Sequence, residues 1–387
     1  NAEERKTRAH LPARPEVALL MHPPHPLARL ARPRLPAGGK HPAPAASAPA
    51  AAADAARNIA TVAEAFVTPM TPADNIDSPA SWTTPDGQRW LIATAKATDK
   101  LVVYDGQTGT HLRDVGSTGT GLGQCVRPNG IAVVDDLVLI VERDNHRVQV
   151  LRLPDFAPLG VFAADDLRKP YGLWVNKREG GYDVYVTDSY DAGEDAQGND
   201  VLPPLAELDK RVRRYAMTVQ GDKAQGTLVS SIGDTSEAGA LRVVESIWGD
   251  PANDRLLIAE EDETYASEFK VYTLAGRFTG TTFGRDAFKA QAEGVMLRTC
   301  GKDGWWITTE QGKQRSVFHL FDRHTFKHVG AFQGNTVANT DGIWLDPHAS
   351  PRFPDGVLYA VHDDQGVVAF DWASVARQLS LPLECAP

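Results

Sequence analysis

The chain has 387 residues, with 40 Lys+Arg against 50 Asp+Glu and a formal net charge of −10. That length suits two or three ordinary domains or one large β-architecture, and 42% hydrophobic with 23% charged residues is a soluble, globular profile. Residues 1–60 hold nine Lys/Arg and four Asp/Glu, the remainder 31 and 46; an acidic body repels nucleic acid and favours cations or a metal-bridged anion.

In chain order, the N-terminal region comes first. Its longest apolar run, residues 17–21, falls short of a signal-peptide core, and no run approaches the roughly 18 residues of a membrane helix. Residues 1–60 contain 18 Ala and 10 Pro, a composition that buries too little apolar surface to offset ordering entropy. Residues 1–65 are therefore expected to be a flexible, disordered or irregular leader, and residues 66–387 a folded body. Cys125, Cys300 and Cys385 lack CxxC spacing and cannot all pair, which argues against a disulfide scaffold and a zinc–cysteine site.

From about residue 70, short β-prone runs alternate with Asp, Gly, Pro and Asn, and helix-length periodicity is almost absent. One unit recurs six times, opening at Asp77-Ser78, Asn129-Gly130, Tyr171-Gly172, Glu245-Ser246, Glu293-Gly294 and Asp341-Gly342. Second strands are expected at 90–94, 137–141, 184–187, 256–259, 305–309 and 357–361. Third strands follow at 101–104, 148–151, 212–215, 269–272, 317–321 and 367–370. The spacing is close to the roughly 40–50 residues of a propeller blade, apart from one 74-residue interval, where 191–209 and 219–240 read as inserted loops. The fold class is all-β, a six-bladed β-propeller.

First strands line a propeller's channel, so the opening residues should ring one mouth. Second strands end in a further tier at Lys96, Arg143, Asp188-Ser189, Glu261, Glu310-Gln311 and Asp363. Converging acids repel unless a cation bridges them, and carboxylate and carbonyl oxygens with little His or Cys suit Ca²⁺. Lys96 and Arg143 would then bind an anion. The bland alternative is that such Asp and Asn residues close turns, and that Glu260-Glu261-Asp262-Glu263 is a solvated charge run. Residues 128–131 with 144–150 read like an NHL-type repeat in which His146 is architectural. His324 and His328 fall in a hairpin, where a zinc site is not expected. No nucleophile elbow, HExxH or phosphate-cradling loop is present.

Over residues 73–373 the sequence resembles the β-propeller phytases, calcium-dependent enzymes that remove phosphate from inositol hexakisphosphate. Residues 75–82, Lys96, Arg143, Tyr171-Gly172, Glu245, residues 258–263, Glu293-Gly294, Gln311-Gly312 and residues 339–343 have counterparts in order. The resemblance implies that Asp77, Tyr171, Glu245, Glu261, Glu293 and Asp341 hold calcium ions, that Tyr171, Glu245, Glu261 and Glu293 form the catalytic group, and that Lys96 and Arg143 clamp phosphate. Gln291 and Asn335 stand where the family has metal-binding Asp, Ser78 replaces the second Asp of the opening pair, and Ser189 replaces a phosphate-binding Lys. Fewer or weaker calcium sites are expected, with Lys313 a candidate substitute cation. The resemblance also implies a secreted or periplasmic monomer acting on a small phosphate ester, with no nucleic-acid partner and no membrane span. A lactonase-like hydrolase and a non-catalytic binding propeller remain as alternatives.

Overall fold

The computed structural model describes residues 57–385; the expected leader up to residue 56 lies outside them. Six sheets, antiparallel except for one added N-terminal strand, follow one another along the chain. Blade 1 comprises Ile76–Thr83, Arg89–Ala95, Lys100–Asp105 and His111–Val115. Blade 2 comprises Pro128–Val134, Leu137–Glu142, Arg147–Arg152 and Ala157–Phe162. Blade 3 comprises Pro170–Arg178, Gly181–Asp188, Val212–Gln220 and Lys223–Ile232. Blade 4 comprises Ile247–Asp250, Arg255–Glu260, Glu268–Tyr272 and Phe278–Phe283. Blade 5 comprises Gln291–Cys300, Asp303–Gln311, Val317–Asp322 and His328–Gln333. Blade 6 comprises Ile343–Asp346, Val357–His362 and Gly366–Asp371. The six-bladed β-propeller expected from the repeat is the fold.

Blade 6 takes its outer strand from the beginning of the chain. Phe66–Val67 pairs antiparallel with Gly366–Asp371, and closes the ring by joining early residues to late ones. Ile59–Thr61, inside the stretch expected as leader, runs parallel along His328–Gln333 and widens blade 5. The interval 219–240, expected as an inserted loop, is corrected: Lys223–Ile232 is the fourth strand of blade 3. It lies on the outer edge, mostly exposed, so it carries no continuous apolar run. Cys300 and Cys385 form a disulfide that ties the C-terminal tail to blade 5, and Cys125 is buried and free.

Second and third strands bury both faces between neighbouring blades, as in Leu137–Glu142, where every residue is buried. Along the channel, Trp248 sits 5.9 Å from Trp344 and 6.4 Å from Trp174 between ring centroids. These indoles lie three residues beyond Glu245, Asp341 and Tyr171; Trp248 and Trp344 line a central cavity with Glu245 and Asp341, and Trp174 is buried in the core beside them.

Candidate functional site

The opening pairs occupy a shared backbone irregularity. In blades 1, 2, 3 and 5 the first-to-second strand register breaks between Ile76 and Pro79, Pro128 and Ile131, Pro170 and Leu173, and Ala292 and Val295. Each break contains the pair: Asp77-Ser78, Asn129-Gly130, Tyr171-Gly172 or Glu293-Gly294. A bulge releases residues from the ladder and re-aims their side chains. In blades 4 and 6 the pair precedes the first strand. The glycines serve close approach: a Cβ on Gly172 would collide with the Glu245 carbonyl, and one on Gly342 would lie 2.9 Å from the Asp77 carbonyl oxygen. The Gly342 amide donates to that same carbonyl at 3.1 Å, and the Gly294 amide to the Asp341 carbonyl at 3.1 Å. Backbone packing between blades thus sets the separation of the acids.

Glu245, Glu261 and Glu293 each bring a carboxylate oxygen within 4.8 Å of the other two. Glu293 is 4% exposed, and its Oε2 has no hydrogen-bond partner. Glu261 accepts from the Ser246 amide at 3.0 Å. On the other side, Lys96 Nζ is 2.6 Å from Asp77 Oδ1 and 3.9 Å from Asp341 Oδ2. Ser78 donates its hydroxyl to Asp77 Oδ2 at 2.9 Å. Gln311 Nε2 donates to Asp341, and Lys313 reaches Gln311 Oε1 at 3.5 Å and Asn339 Oδ1 at 2.6 Å.

Asp77, Asp341 and Glu245 act on the one ammonium, Glu245 also belongs to the glutamate trio, and the titration of these groups reflects it. Burial pushes Glu245 well above the ordinary carboxylate range, with Asp77, Glu261 and Asp341 acting in the same direction. Burial also raises Glu261 and Glu293, the latter further through Glu261 and Glu245. Asp341 is pushed up to about 8 by burial and by Asp77. Burial disfavours the Lys96 ammonium, but Asp77, Asp341 and Glu245 more than offset this and raise its pKa. Such a group is short of positive charge, and takes up either protons or a cation.

The other expected residues divide. Arg143 is half-buried, its Nε donating to Asp144 at 2.7 Å and its Nη1 to the Tyr171 hydroxyl at 3.4 Å. Tyr171, Gln291 and the three glutamates line one pocket of about 410 Å³. Asn335 is not brought to them: it is exposed, and its amide donates to Glu64 at 2.9 Å. It follows the outer strand of blade 5, away from the channel-lining openings. Ser189 accepts from the Val244 amide at 3.3 Å. The acidic run separates by role, with Glu260 accepting from the Arg242 and Val243 amides, Glu261 joining the cluster and Glu263 exposed. In the turn after the second strand of blade 6, Asp364 rather than Asp363 acts on Asp341 and accepts from Asn339 at 3.2 Å. Both have left-handed φ, so strand alternation does not carry through the turn. His324 contacts Lys302, whereas His328 bonds His319 at 2.9 Å; they share no site.

Residues 126–151 match the NHL repeat. In that stretch Glu142 is fully buried and receives Asn145, Arg147 and Gln149. His146 has positive φ and bonds the Arg168 carbonyl at 2.6 Å; these residues build a turn. No curated protein matches the chain. Among solved structures, a nidogen/laminin complex chain is 14% identical over 71% of this chain and 87% of that one, with a TM-score of 0.46. A streptogramin B lyase is 13% identical over 79% and 97%, with a TM-score of 0.45. Hydrazine synthase from Kuenenia stuttgartiensis is 12% identical over 75% and 74%, with a TM-score of 0.43. The chain is a β-propeller that carries an NHL repeat. No helix among its described residues is long and apolar enough to cross a membrane.

Proposed function

We propose that this propeller is a calcium-dependent phosphomonoester hydrolase of the phytase type, acting on inositol hexakisphosphate or a related ester. The observation that carries the reading is the meeting of Glu245, Glu261 and Glu293 at one mouth, with the buried Glu293 Oε2 unpartnered. An oxygen-only donor set of this kind fits Ca²⁺, which takes about 6–8 oxygens. The three glutamates would hold an ion, and Asp77, Asp341 and the Gln291 amide oxygen extend the donor set. When bound, calcium supplies compensation for phosphate charge and a water of lowered pKa.

The remaining work falls to the chain's own side chains. Arg143, braced by Asp144 and Tyr171, offers a planar fork to phosphate oxygens, and Lys96 adds a fixed positive charge. Hydrolysis forms a bond from water oxygen to phosphorus, breaks the ester P–O bond and delivers a proton to the departing alcohol. No protein nucleophile is needed. Export to a calcium-rich compartment belongs to the same reading.

The NHL match favours a second reading, a binding propeller without turnover. Phosphate release from inositol hexakisphosphate and smaller monoesters separates the two, in millimolar calcium and then in chelator. The hydrolase reading expects calcium-dependent release, with Arg143→Ala lowering kcat/KM about 100-fold. Absence of release from every ester in calcium, or equal rates in Arg143→Ala, contradicts it.

A further inference from the structure

The pocket above the glutamates has an unusual wall. Residues 191–203, between the second and third strands of blade 3, fold over it as a braced loop. The Ala192 amide donates to the Val201 carbonyl and the Val201 amide to the Gly193 carbonyl, both at 2.8 Å. Lys169 pairs with Asp191 at 3.0 Å and also with Asp200, so it ties both arms of the loop. Beneath it, Arg211 is 1% exposed and donates to the carbonyls of Asp188, Tyr190, Leu241 and Arg242. The loop is a preformed wall.

Beside its two lysine-paired aspartates, that wall presents apolar side chains. Val201 and Leu202 are each 40% exposed, and Val243 across the pocket is 37% exposed; all three line the cavity with Pro203. Large apolar side chains left open beside a buried acidic group mark a ligand surface. The two arginines that line this cavity and the lysine that braces its loop are engaged, Lys169 by its two aspartates, Arg211 by carbonyls, and Arg242 by Glu237 and the Ala240 carbonyl, while the exposed Arg168 lies over the Tyr190 ring. Ser189, which also lines the cavity, holds the Val244 amide. This side of the site therefore offers apolar area to whatever the phosphate carries.

We infer that Val201 and Leu202 are specificity-determining residues that select a phosphomonoester with an aryl or other apolar alcohol group over a polyphosphorylated one. The inference rests on the hydrolase reading for its chemistry, and narrows the substrate to one phosphate with an apolar substituent packed against the 191–203 loop. One hydrophobic contact of this size discriminates by about 10-fold or more.

The test compares 1-naphthyl phosphate, glycerol 2-phosphate and inositol hexakisphosphate on the full chain in calcium, for the parent and for Val201→Ser/Leu202→Ser. The parent is expected to show its highest kcat/KM on 1-naphthyl phosphate. The double substitution, at exposed positions, lowers the naphthyl-to-glycerol selectivity ratio about 10-fold. An unchanged ratio, or a parent that prefers inositol hexakisphosphate, overturns the inference while leaving the hydrolase reading intact. If no ester turns over, the hydrolase reading fails and calorimetry with 1-naphthylphosphonate in calcium decides the wall separately. Affinity weakened about 10-fold by the double substitution supports it; no binding, or equal affinity, overturns it.

Discussion

Gly172 shows how one missing side chain governs the site. The first strand of blade 3 passes so close to the Glu245 carbonyl that no Cβ fits between them, and Thr187 Oγ1 holds that carbonyl at 2.9 Å and the Gly172 amide at 2.9 Å. Gly172→Ala must push the opening of blade 4 outward, and Glu245 with it. Overpacking of this kind costs about 1–3 kcal/mol, measurable by urea titration as a lower midpoint at unchanged slope. Calcium affinity should weaken in the same variant, because Glu245 moves relative to Glu261 and Glu293. At this scale the X-Gly pairs were legible in the sequence because the need for backbone approach recurs in four of the six blades. Which members of the ring meet was not legible. Asn129 shares the bulge with the acids, yet both polar atoms of its buried amide lack partners and it joins no carboxylate in the cluster. Asn335 was expected among the metal ligands, but its backbone is bound by Glu64, which also receives the amides of Thr336 and Val337; nothing local in residues 334–337 announces a partner 271 residues away.

Among strands, legibility followed burial. Second and third strands are covered on both faces, so they read as apolar runs, and all twelve fall inside observed strands. Outer strands face solvent on one side, as His111–Val115 does with four exposed residues, and they leave no such trace. The closing strand is the extreme case, since Phe66–Val67 has two residues and therefore no period to read. Its anchor is Phe66, whose ring centroid lies 6.3 Å from Tyr359 and 6.5 Å from Phe353, with the Arg352 guanidinium 5.7 Å from the ring centre. Phe66→Ala removes this staple from a half-buried position. The expected cost is about 2 kcal/mol, below the range for fully buried Phe, read as a lower melting temperature. A substitution without effect would mean that blade 6 closes without its N-terminal strand.

For the whole molecule, the acidic mouth couples stability to pH and, on the proposed function, to calcium. Without a cation, burial and Asp77 raise Asp341 from its ordinary 3.8 to about 8, and Glu245, Glu261 and Glu293 shift in the same direction. Between about pH 4 and 8 the folded chain then holds protons that the unfolded chain has released. Stability from this group is fully present below the unfolded pKa and is lost as pH rises through the folded one. In chelator, the melting temperature should therefore fall from pH 5 to pH 8. Calcium bound as proposed would compete with those protons, so it should raise the melting temperature more at pH 8 than at pH 5. Equal calcium effects at the two pH values would detach the cluster from cation binding.

Heat stabilisation by calcium does not by itself establish turnover, because any ligand bound to the folded state stabilises it. The most direct test follows phosphate release while calcium is titrated into the parent and into Glu261→Gln. The parent should rise from a negligible rate to saturation, whereas Glu261→Gln, which keeps the volume and the Ser246 contact while losing the charge, should need at least about 10-fold more calcium or stay inactive. A parent rate independent of calcium, or two superimposable titrations, would contradict the assignment of the glutamate cluster as the catalytic metal site.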